Sequence, residues 1–183
     1  MPRKKSPWHV ERPPDLPYAF FISHVREDAE AVRSLKSEMI LRSGEGGRRE
    51  LACYLDETNW EIGNDPCGVI RANLLKSEYM VAWITSAYLA ASRRGWIWYE
   101  FAYAELIELS LNTSRFGTEF PFILPIFHIP ITEDVQHSPL ANYWVRRPLA
   151  GIEAPSPAQV AQKLISFYYQ ELFHKRGRAS LDS

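Results

Sequence analysis

The chain of 183 residues is long enough for one domain with a well-formed core and too short for two ordinary domains. Its 21 Lys and Arg against 22 Asp and Glu leave a net charge of -1, which excludes a global attraction to nucleic acid or an anionic membrane, and no apolar run is long enough to span a bilayer. Its two cysteines, Cys53 and Cys67, cannot form a disulfide framework and lack zinc-site spacing, which predicts a reducing cytoplasmic environment and no bound metal.

The first part of the chain predicts an arm followed by a strand, a loop and a helix. Residues 1–17 are rich in proline and begin with a basic cluster, which is typical of an arm. Residues 18–22 form a continuous apolar run, as in a strand that is buried on both faces of a parallel sheet. Residues 23–28 are then a loop, and Asp28 is expected to cap a helix that ends before Gly44.

The middle of the chain predicts two further strands. Residues 51–55 are the second strand, and a polar loop over residues 56–64 follows it. The pair Asp65-Pro66 marks the next helix start, because aspartate accepts free amide hydrogens and proline fits the first helical position. Residues 79–84 are the third strand, again apolar throughout.

The last third of the chain predicts one more clear strand and a final helix. A helical region runs to about Leu111, and residues 120–127 are the fourth strand. Residues 129–142 look irregular, with a short strand expected over residues 144–149. Ser156 and Gln159 form a capping box for a last helix ending near Phe173. The expected domain is therefore residues 18–173, followed by a basic tail over residues 174–183.

Strands that alternate with helices predict an α/β fold with a central parallel sheet of four to five strands and helices on both faces. In such sheets ligands bind beyond the carboxyl ends of the strands, where the connecting loops gather. The loops expected there are residues 23–28, residues 56–64, and residues 86–96 leading to Glu100.

A single carboxylate among aromatic residues stands out near this edge. A helix that begins near Gly95 puts Trp96 and Glu100 one turn apart on one face, where an indole and a carboxylate can address one ligand. We also expect Glu100 in the first helical turn, which favours its ionised form. The alternative is a surface glutamate beside core tryptophans, because aromatic stripes at helical spacing usually mean core.

Several segments resemble, in order and spacing, those of the TIR domain, the Toll/interleukin-1 receptor and resistance-protein module. They are Tyr-Ala-Phe-Phe-Ile-Ser-His (residues 18–24) with Asp28; Tyr-Leu-Asp-Glu-x-x-Trp-Glu-Ile-Gly-Asn-Asp (residues 54–65); Ile70 with Ser77; Ser-Ala-Tyr-Leu-Ala (residues 86–90) with Trp96-x-x-x-Glu100; and residues 122–127. The resemblance implies the flavodoxin-like TIR fold, closely over residues 18–127 and loosely to residue 173.

Many TIR domains cleave NAD between nicotinamide and ribose, with a glutamate at the position that matches Glu100. The resemblance therefore implies an NAD glycohydrolase or ADP-ribosyl cyclase that uses NAD as substrate and needs no resident cofactor. It also implies self-association through TIR–TIR contacts. Stand-alone bacterial members act in Thoeris antiphage defence, which implies an effector or sensor protein as partner, and neither nucleic acid nor a membrane.

One carboxylate suffices for this chemistry. Nicotinamide leaves as a neutral amine from a cationic pyridinium, so the acid of the usual glycosidase pair is not required. An ionised glutamate can hydrogen-bond the ribose hydroxyls and stabilise the positive charge that develops at the anomeric carbon. Capture by water then gives ADP-ribose, and capture within the molecule gives a cyclic product.

Other residues at the same edge are implied to line the nucleotide site. Arg26 can pair with pyrophosphate oxygens, and Trp60 can stack on a base or pack against a neighbouring subunit. For Ser23 and His24 the alternative is loop capping. A catalytic triad of Ser23, His24 and Asp28 is disfavoured, because neighbours in sequence do not by that fact acquire triad geometry. The expected binding residues are Ser23, His24, Arg26, Asp56, Trp60 and Trp96.

Two other functions remain open at the level of sequence. One is a non-catalytic TIR module that assembles with like domains through the loop over residues 56–64 and neighbouring helices. The other is a nucleoside or nucleotide-sugar transferase, which would apply the same glycosidic chemistry to a different substrate.

Overall fold

In the described part of the chain, a four-strand, all-parallel sheet forms the centre, with strand order β2-β1-β3-β4. The computed structural model describes residues 10–44, 50–55, 65–93, 95–114, 121–130, 133–138, 140–144 and 155–179. The strands are β1 (Tyr18–Ser23), β2 (Cys53–Leu55), β3 (Ser77–Ile84) and β4 (Ile123–Phe127). This order is consistent with a flavodoxin-like fold, and the predicted α/β class is confirmed.

Helices cover both faces of the sheet. They are α1 (Ala29–Ser43), α2 (Pro66–Leu75), α3 (Ser86–Ala91), α4 (Gly95–Ser114), α5 (Glu133–Gln136), α6 (Ala141–Trp144) and α7 (Pro157–Ala179). Residues of α1 and α7 share one core cluster, and residues of the helices from α2 to α6 share the other. Among these helices, none has both the length and the apolar character needed to cross a bilayer.

Successive residues of the apolar run that predicts β1 pack into opposite core clusters. Phe20 and Ile22 enter the cluster under α1 and α7, whereas Phe21 enters the opposite cluster. Phe20 pairs with Cys53 of β2 on one side and with Tyr79 of β3 on the other, so β1 is an inner strand. A strand that contacts apolar cores on both faces has no position for a solvent-facing polar residue, which explains its continuous hydrophobicity.

Several predicted boundaries are confirmed, and their physical signals are visible. Helix α2 begins at Pro66, as predicted, but the expected cap by Asp65 is wrong, since its side chain makes no cap hydrogen bond there. Helix α7 begins at Pro157 with a complete capping box: the Ser156 amide donates to Gln159 Oε1 at 2.9 Å and the Gln159 amide donates to Ser156 Oγ at 3.3 Å. Pro125 lies in β4, which pairs only with β3 among the described strands, and an edge strand tolerates a residue without an amide hydrogen.

Other boundaries differ from the prediction. The stretch expected to be irregular contains α5 and α6, held by the buried Val135, Leu140 and Tyr143, and Trp144, the expected start of a strand, ends α6. The remaining residues of that expected strand, 145–149, lie outside the described residues. Helix α7 continues to Ala179, beyond the predicted end at Phe173, so the predicted basic tail begins inside a helix.

The described part of the N-terminal arm contacts the amino edge of the sheet. The Arg12 guanidinium donates to the carbonyl oxygens of Ser77 and, at 3.4 Å, Leu75, and it lies 5.4 Å from the centroid of the Phe122 ring. The Val10 amide donates to Ser110 Oγ at 2.8 Å. Burial lowers the pKa of Arg12, with the charge of Glu78 acting in the opposite direction. The arm therefore closes the edge opposite to the predicted site.

A buried carboxylate on α4 fixes the entry to β4. Glu108 is 6% exposed, and its Oε2 accepts hydrogen bonds from the amides of Phe122 at 2.8 Å and Ile123 at 3.1 Å. These amides precede or begin an edge strand, and without an acceptor they would be buried donors without a partner. Such groups are costly, so Glu108 has a clear structural role.

We predict that Glu108→Ala lowers the free energy of unfolding by roughly 3 kcal/mol, because two buried amides lose a charged acceptor. Chemical denaturation monitored by circular dichroism measures this change. Glu30→Ala is the control, since Glu30 is an exposed glutamate of α1, and we expect a change within about 1 kcal/mol there. Equal losses in the two variants would contradict the role assigned to Glu108.

Candidate functional site

Glu100 lies inside the molecule, on the side where the strands end. It is 3% exposed and is the sixth residue of α4, which begins at Gly95. A helical turn contains about 3.6 residues, so the prediction that Glu100 lies in the first turn was wrong. The helix dipole acts mainly within that first turn. The dipole of α4 therefore offers this carboxylate little stabilisation.

The group that the structure brings to Glu100 is Ser23, the last residue of β1. Ser23 is 1% exposed, and its hydroxyl donates to Glu100 Oε2. The same hydroxyl oxygen lies 2.9 Å from the phenolic oxygen of Tyr88 in α3, a fully buried side chain. Burial raises the pKa of Tyr88 above its ordinary value, the charge of Glu100 raises it further, and the Ser23 contact acts in the opposite direction. Tyr88 is therefore a neutral phenol at physiological pH.

A second set of polar contacts ties the loop after β1 to the start of α3. Thr85 follows β3 and caps α3, since its Oγ1 accepts a hydrogen bond from the Tyr88 amide at 3.2 Å. The Thr85 hydroxyl in turn donates to Asp28 Oδ2 at 2.7 Å. Asp28 was expected to cap α1 with its side chain, but no such cap bond forms there. Thr85 competes successfully for this carboxylate.

These contacts also bear on the disfavoured triad. The Ser23 hydroxyl is engaged by Glu100 and Tyr88, and the Asp28 carboxylate is engaged by Thr85. His24 is half-buried, with Nδ1 3.3 Å from the Ile22 carbonyl oxygen. A serine nucleophile needs a histidine base that is oriented by a carboxylate, and Ser23 and Asp28 have different partners here.

The remaining predicted site residues have different environments. Arg26 is exposed in a short 3-10 turn, Arg26–Asp28, at the carboxyl edge of the sheet. Trp96 is 46% exposed although it precedes the buried Glu100 by one helical turn, so the indole lies largely at the surface. Asp56 and Trp60 lie outside the described residues.

Sequence reasoning gave no role to three residues that the structure places at this edge. Tyr88 belongs to a segment that resembles TIR domains, and its position in the helix after β3 was the available signal. Thr85 lies directly before that helix, as capping residues do. His128 directly follows β4, and position after a parallel strand is the signal for this edge.

His128 is held against Trp83 of β3, with ring centroids 4.0 Å apart, and its amide donates to the Ile84 carbonyl oxygen at 2.8 Å. Its Nε2 atom is buried and has no hydrogen-bond partner among the residues that the structure describes. Burial lowers the pKa of His128 to about 4, with the nearby charge of Asp28 acting in the opposite direction. The imidazole is therefore neutral at physiological pH.

The described surface also has a small cleft on the other side of α4, lined by Trp98, Phe101, Glu105 and Leu140 among others. Its volume of about 30 Å³ is of the order that one water molecule needs. Neither Ser23 nor Glu100 lines it. The cleft is therefore not part of the candidate site formed by Ser23, Tyr88 and Glu100.

Comparisons of the sequence with models of known protein families and with proteins of described function find no match. Functional assignment therefore depends on the chemistry of the residues around Glu100 and on the resemblance of the sequence segments.

We predict that Thr85→Val destabilises the fold by about 1 to 2 kcal/mol, because the helix cap and the bond to Asp28 are both lost. The free energy of unfolding in denaturant measures the effect. Ser37→Ala removes an exposed hydroxyl that bonds within α1, to the Arg33 carbonyl oxygen, and should change stability by no more than about 0.5 kcal/mol. A Thr85→Val variant as stable as the wild type would show that this link is dispensable.

We also predict that stability falls as the pH is lowered from about 6.5 to about 4. Over this range His128 of the unfolded chain, with a pKa near 6.5, binds a proton that the folded state excludes. His128→Phe keeps a ring against Trp83 and removes the titration, so this variant should lose less stability between pH 7 and pH 5. Denaturation at both pH values measures the difference.

The matched control for this pH effect is His137→Gln. It replaces a histidine at an exposed position, so it controls for the loss of a histidine outside the core. An unchanged pH dependence in His128→Phe would contradict the role of His128.

Proposed function

We propose that this protein is a TIR-domain enzyme that cleaves the bond between nicotinamide and ribose in NAD, with Glu100 as the essential carboxylate. The observation that most directly supports the proposal is the hydrogen bond between Ser23 and Glu100, which are 77 positions apart in the sequence. Each belongs to a separate segment that resembles TIR domains. Their contact lies at the carboxyl edge of the sheet, and flavodoxin-like folds bind ligands at that edge.

The chemistry of the cluster suits a reaction that develops positive charge. As the glycosidic bond lengthens, charge builds at the anomeric carbon, and a fixed ionised carboxylate in a water-poor site stabilises it strongly. Glu100 is nearly excluded from water, and its Oε2 accepts from Ser23. Arg26 is exposed at the same edge and provides a cation for the pyrophosphate of NAD.

Substrate access requires a change in this arrangement. Because only 3% of Glu100 is exposed, NAD can reach the carboxylate only if neighbouring side chains move. We assign this movement to self-association, in which contacts between copies open and complete the site. An assay in dilute solution would then underestimate the activity.

The proposed setting follows from the resemblance to stand-alone bacterial TIR proteins. The enzyme acts in the cytoplasm, where Cys53 and Cys67 remain free thiols and NAD is plentiful. Its product is ADP-ribose, or a cyclic ADP-ribose-type signal that an effector protein reads in antiphage defence. Which product forms depends on whether water or an atom of the same molecule captures the ribose cation.

A second function, a non-catalytic TIR interaction module, is favoured by two exposed indoles. Trp96 is 46% exposed and Trp98 is 53% exposed, and both lie in the first turn of α4. Large aromatic side chains at a surface are typical of protein interfaces. In that case Glu100 would serve only to anchor α4 to β1, and its replacement would affect stability without any effect on NAD.

We predict that the purified protein, concentrated or crowded, cleaves NAD and that Glu100→Gln lowers kcat by about 100-fold to 1000-fold. Glutamine keeps the size and an acceptor oxygen but removes the charge. Chromatographic separation of nicotinamide, ADP-ribose and cyclic products measures the reaction. Glu105→Gln, an exposed change on the same helix, is the matched control and should keep wild-type activity.

Two outcomes would reject the catalytic proposal. One is a concentrated wild-type protein that leaves NAD intact, in the same way as Glu100→Gln. The other is NAD cleavage that survives Glu100→Gln unchanged. Turnover of nucleosides or nucleotide sugars in the absence of NAD would instead favour a transferase.

A further inference from the structure

The hydrogens that Ser23, Tyr88 and Glu100 can donate decide the direction of the hydrogen bonds among these three buried side chains. Ser23 has one hydroxyl hydrogen, and an ionised carboxylate can only accept. The Ser23 hydrogen is therefore used on Glu100 Oε2. The contact of 2.9 Å between Ser23 and Tyr88 must then use the phenolic hydrogen of Tyr88. The chain of donors runs from Tyr88 to Ser23 to Glu100.

Tyr88 remains a hydrogen-bond donor to Ser23 because its phenol does not lose its proton at physiological pH. The side chain is fully buried, and burial together with the charge of Glu100 raises the pKa of Tyr88. A neutral phenol that donates to Ser23 makes the Ser23 hydroxyl a better donor in turn, because linked hydrogen bonds polarise one another.

Tyr88 is also held in place from the backbone side. Its amide donates to Thr85 Oγ1 at 3.2 Å, and Thr85 is bound to Asp28 in the turn after β1. Its ring belongs to the same core cluster as Phe21 of β1 and Phe101 of α4. The phenolic oxygen is therefore fixed relative to both the strand that carries Ser23 and the helix that carries Glu100.

We propose that Tyr88 is a positioning residue of the NAD-cleaving site. Through Ser23, its hydroxyl fixes the rotation of the Glu100 carboxylate and hence the oxygen that faces the anomeric carbon. This inference rests on the proposed function. A carboxylate that is free to rotate still stabilises a cation, but less well, because small misplacements of a reacting group cost large factors in rate.

Tyr88→Phe tests the proposal by removing a single oxygen. We expect kcat to fall at least about tenfold with KM changed less than about twofold, because the oriented carboxylate matters most in the transition state. Tyr143→Phe is the matched control: its hydroxyl donates at 2.9 Å to Glu105, another carboxylate on α4, but away from Glu100. We expect wild-type kcat and KM for this variant. Equal kcat values in the two variants would overturn the proposal.

A double variant separates an effect through Ser23 from a general loss of packing. If Tyr88 acts through Ser23, Ser23→Ala combined with Tyr88→Phe has the same kcat as Ser23→Ala alone. The double variant also removes the buried Tyr88 hydroxyl that loses its Ser23 partner in Ser23→Ala, so it separates that loss from the positioning effect. A further loss of kcat in the double variant, or full activity of Ser23→Ala, would overturn the positioning role.

A readout without substrate distinguishes failure of this inference from failure of the proposed function. With glutamate labelled at the side-chain carboxyl carbon, the Glu100 signal is identified by its absence in Glu100→Gln. We expect Tyr88→Phe to shift that signal and Tyr143→Phe to leave it in place. An unshifted signal in Tyr88→Phe overturns the inference whatever the activity, whereas a shifted signal in a protein that does not cleave NAD supports the linkage and rejects the enzyme.

Discussion

The hydrogen bond from Ser23 to Glu100 is the interaction on which the arrangement of the carboxyl edge depends. A carboxylate that is 3% exposed has lost nearly all of its water, and an ionised group in such a place is tolerated only when fixed donors replace the solvent. Ser23 is one such donor, and it can be one only because β1 ends where α4 passes. The positions of β1, α3 and α4 are thereby linked through a few buried atoms.

Two carboxylates of α4 illustrate how the donor decides what a buried acid can do. Glu108 accepts from two backbone amides at the entry to β4, and those amides cannot turn away. Glu100 accepts from a side-chain hydroxyl, whose rotation is set by Tyr88. The first arrangement is permanent and structural. The second can exchange partners without breaking secondary structure, which is the property that a group engaging a substrate needs.

Much of the fold could be predicted from sequence because its main signals are local. Continuous apolar runs indicated strands such as β1, and Pro66 and the pair of Ser156 and Gln159 indicated helix starts. The short helices α5 and α6 could not be predicted, because they are stabilised by tertiary burial of Val135 and Leu140 and not by periodicity. The end of α7 was missed because a basic composition looks like a tail even when the helix continues.

The candidate site, like the fold, could be predicted from sequence only in part. Glu100 and Ser23 could be found from residue type and position in the chain, but their contact depends on strand register and spans 77 positions. Tyr88 and His128 could not be given roles, because these depend on burial and on neighbours that are distant in sequence. Asp28 was expected to cap α1 because the sequence shows the nearby start of that helix but not Thr85, the distant donor that binds the Asp28 carboxylate.

The contact of Arg12 with the amino edge changes where the folded unit begins. Its guanidinium satisfies carbonyl oxygens of Leu75 and Ser77 and covers the Phe122 ring, so the core is incomplete if the chain is cut at the first strand. The cooperative unit therefore extends back to at least Val10, whose amide is bound to α4. A domain boundary drawn at Tyr18, where the hydrophobic pattern starts, would expose an aromatic ring and unpaired backbone acceptors to water.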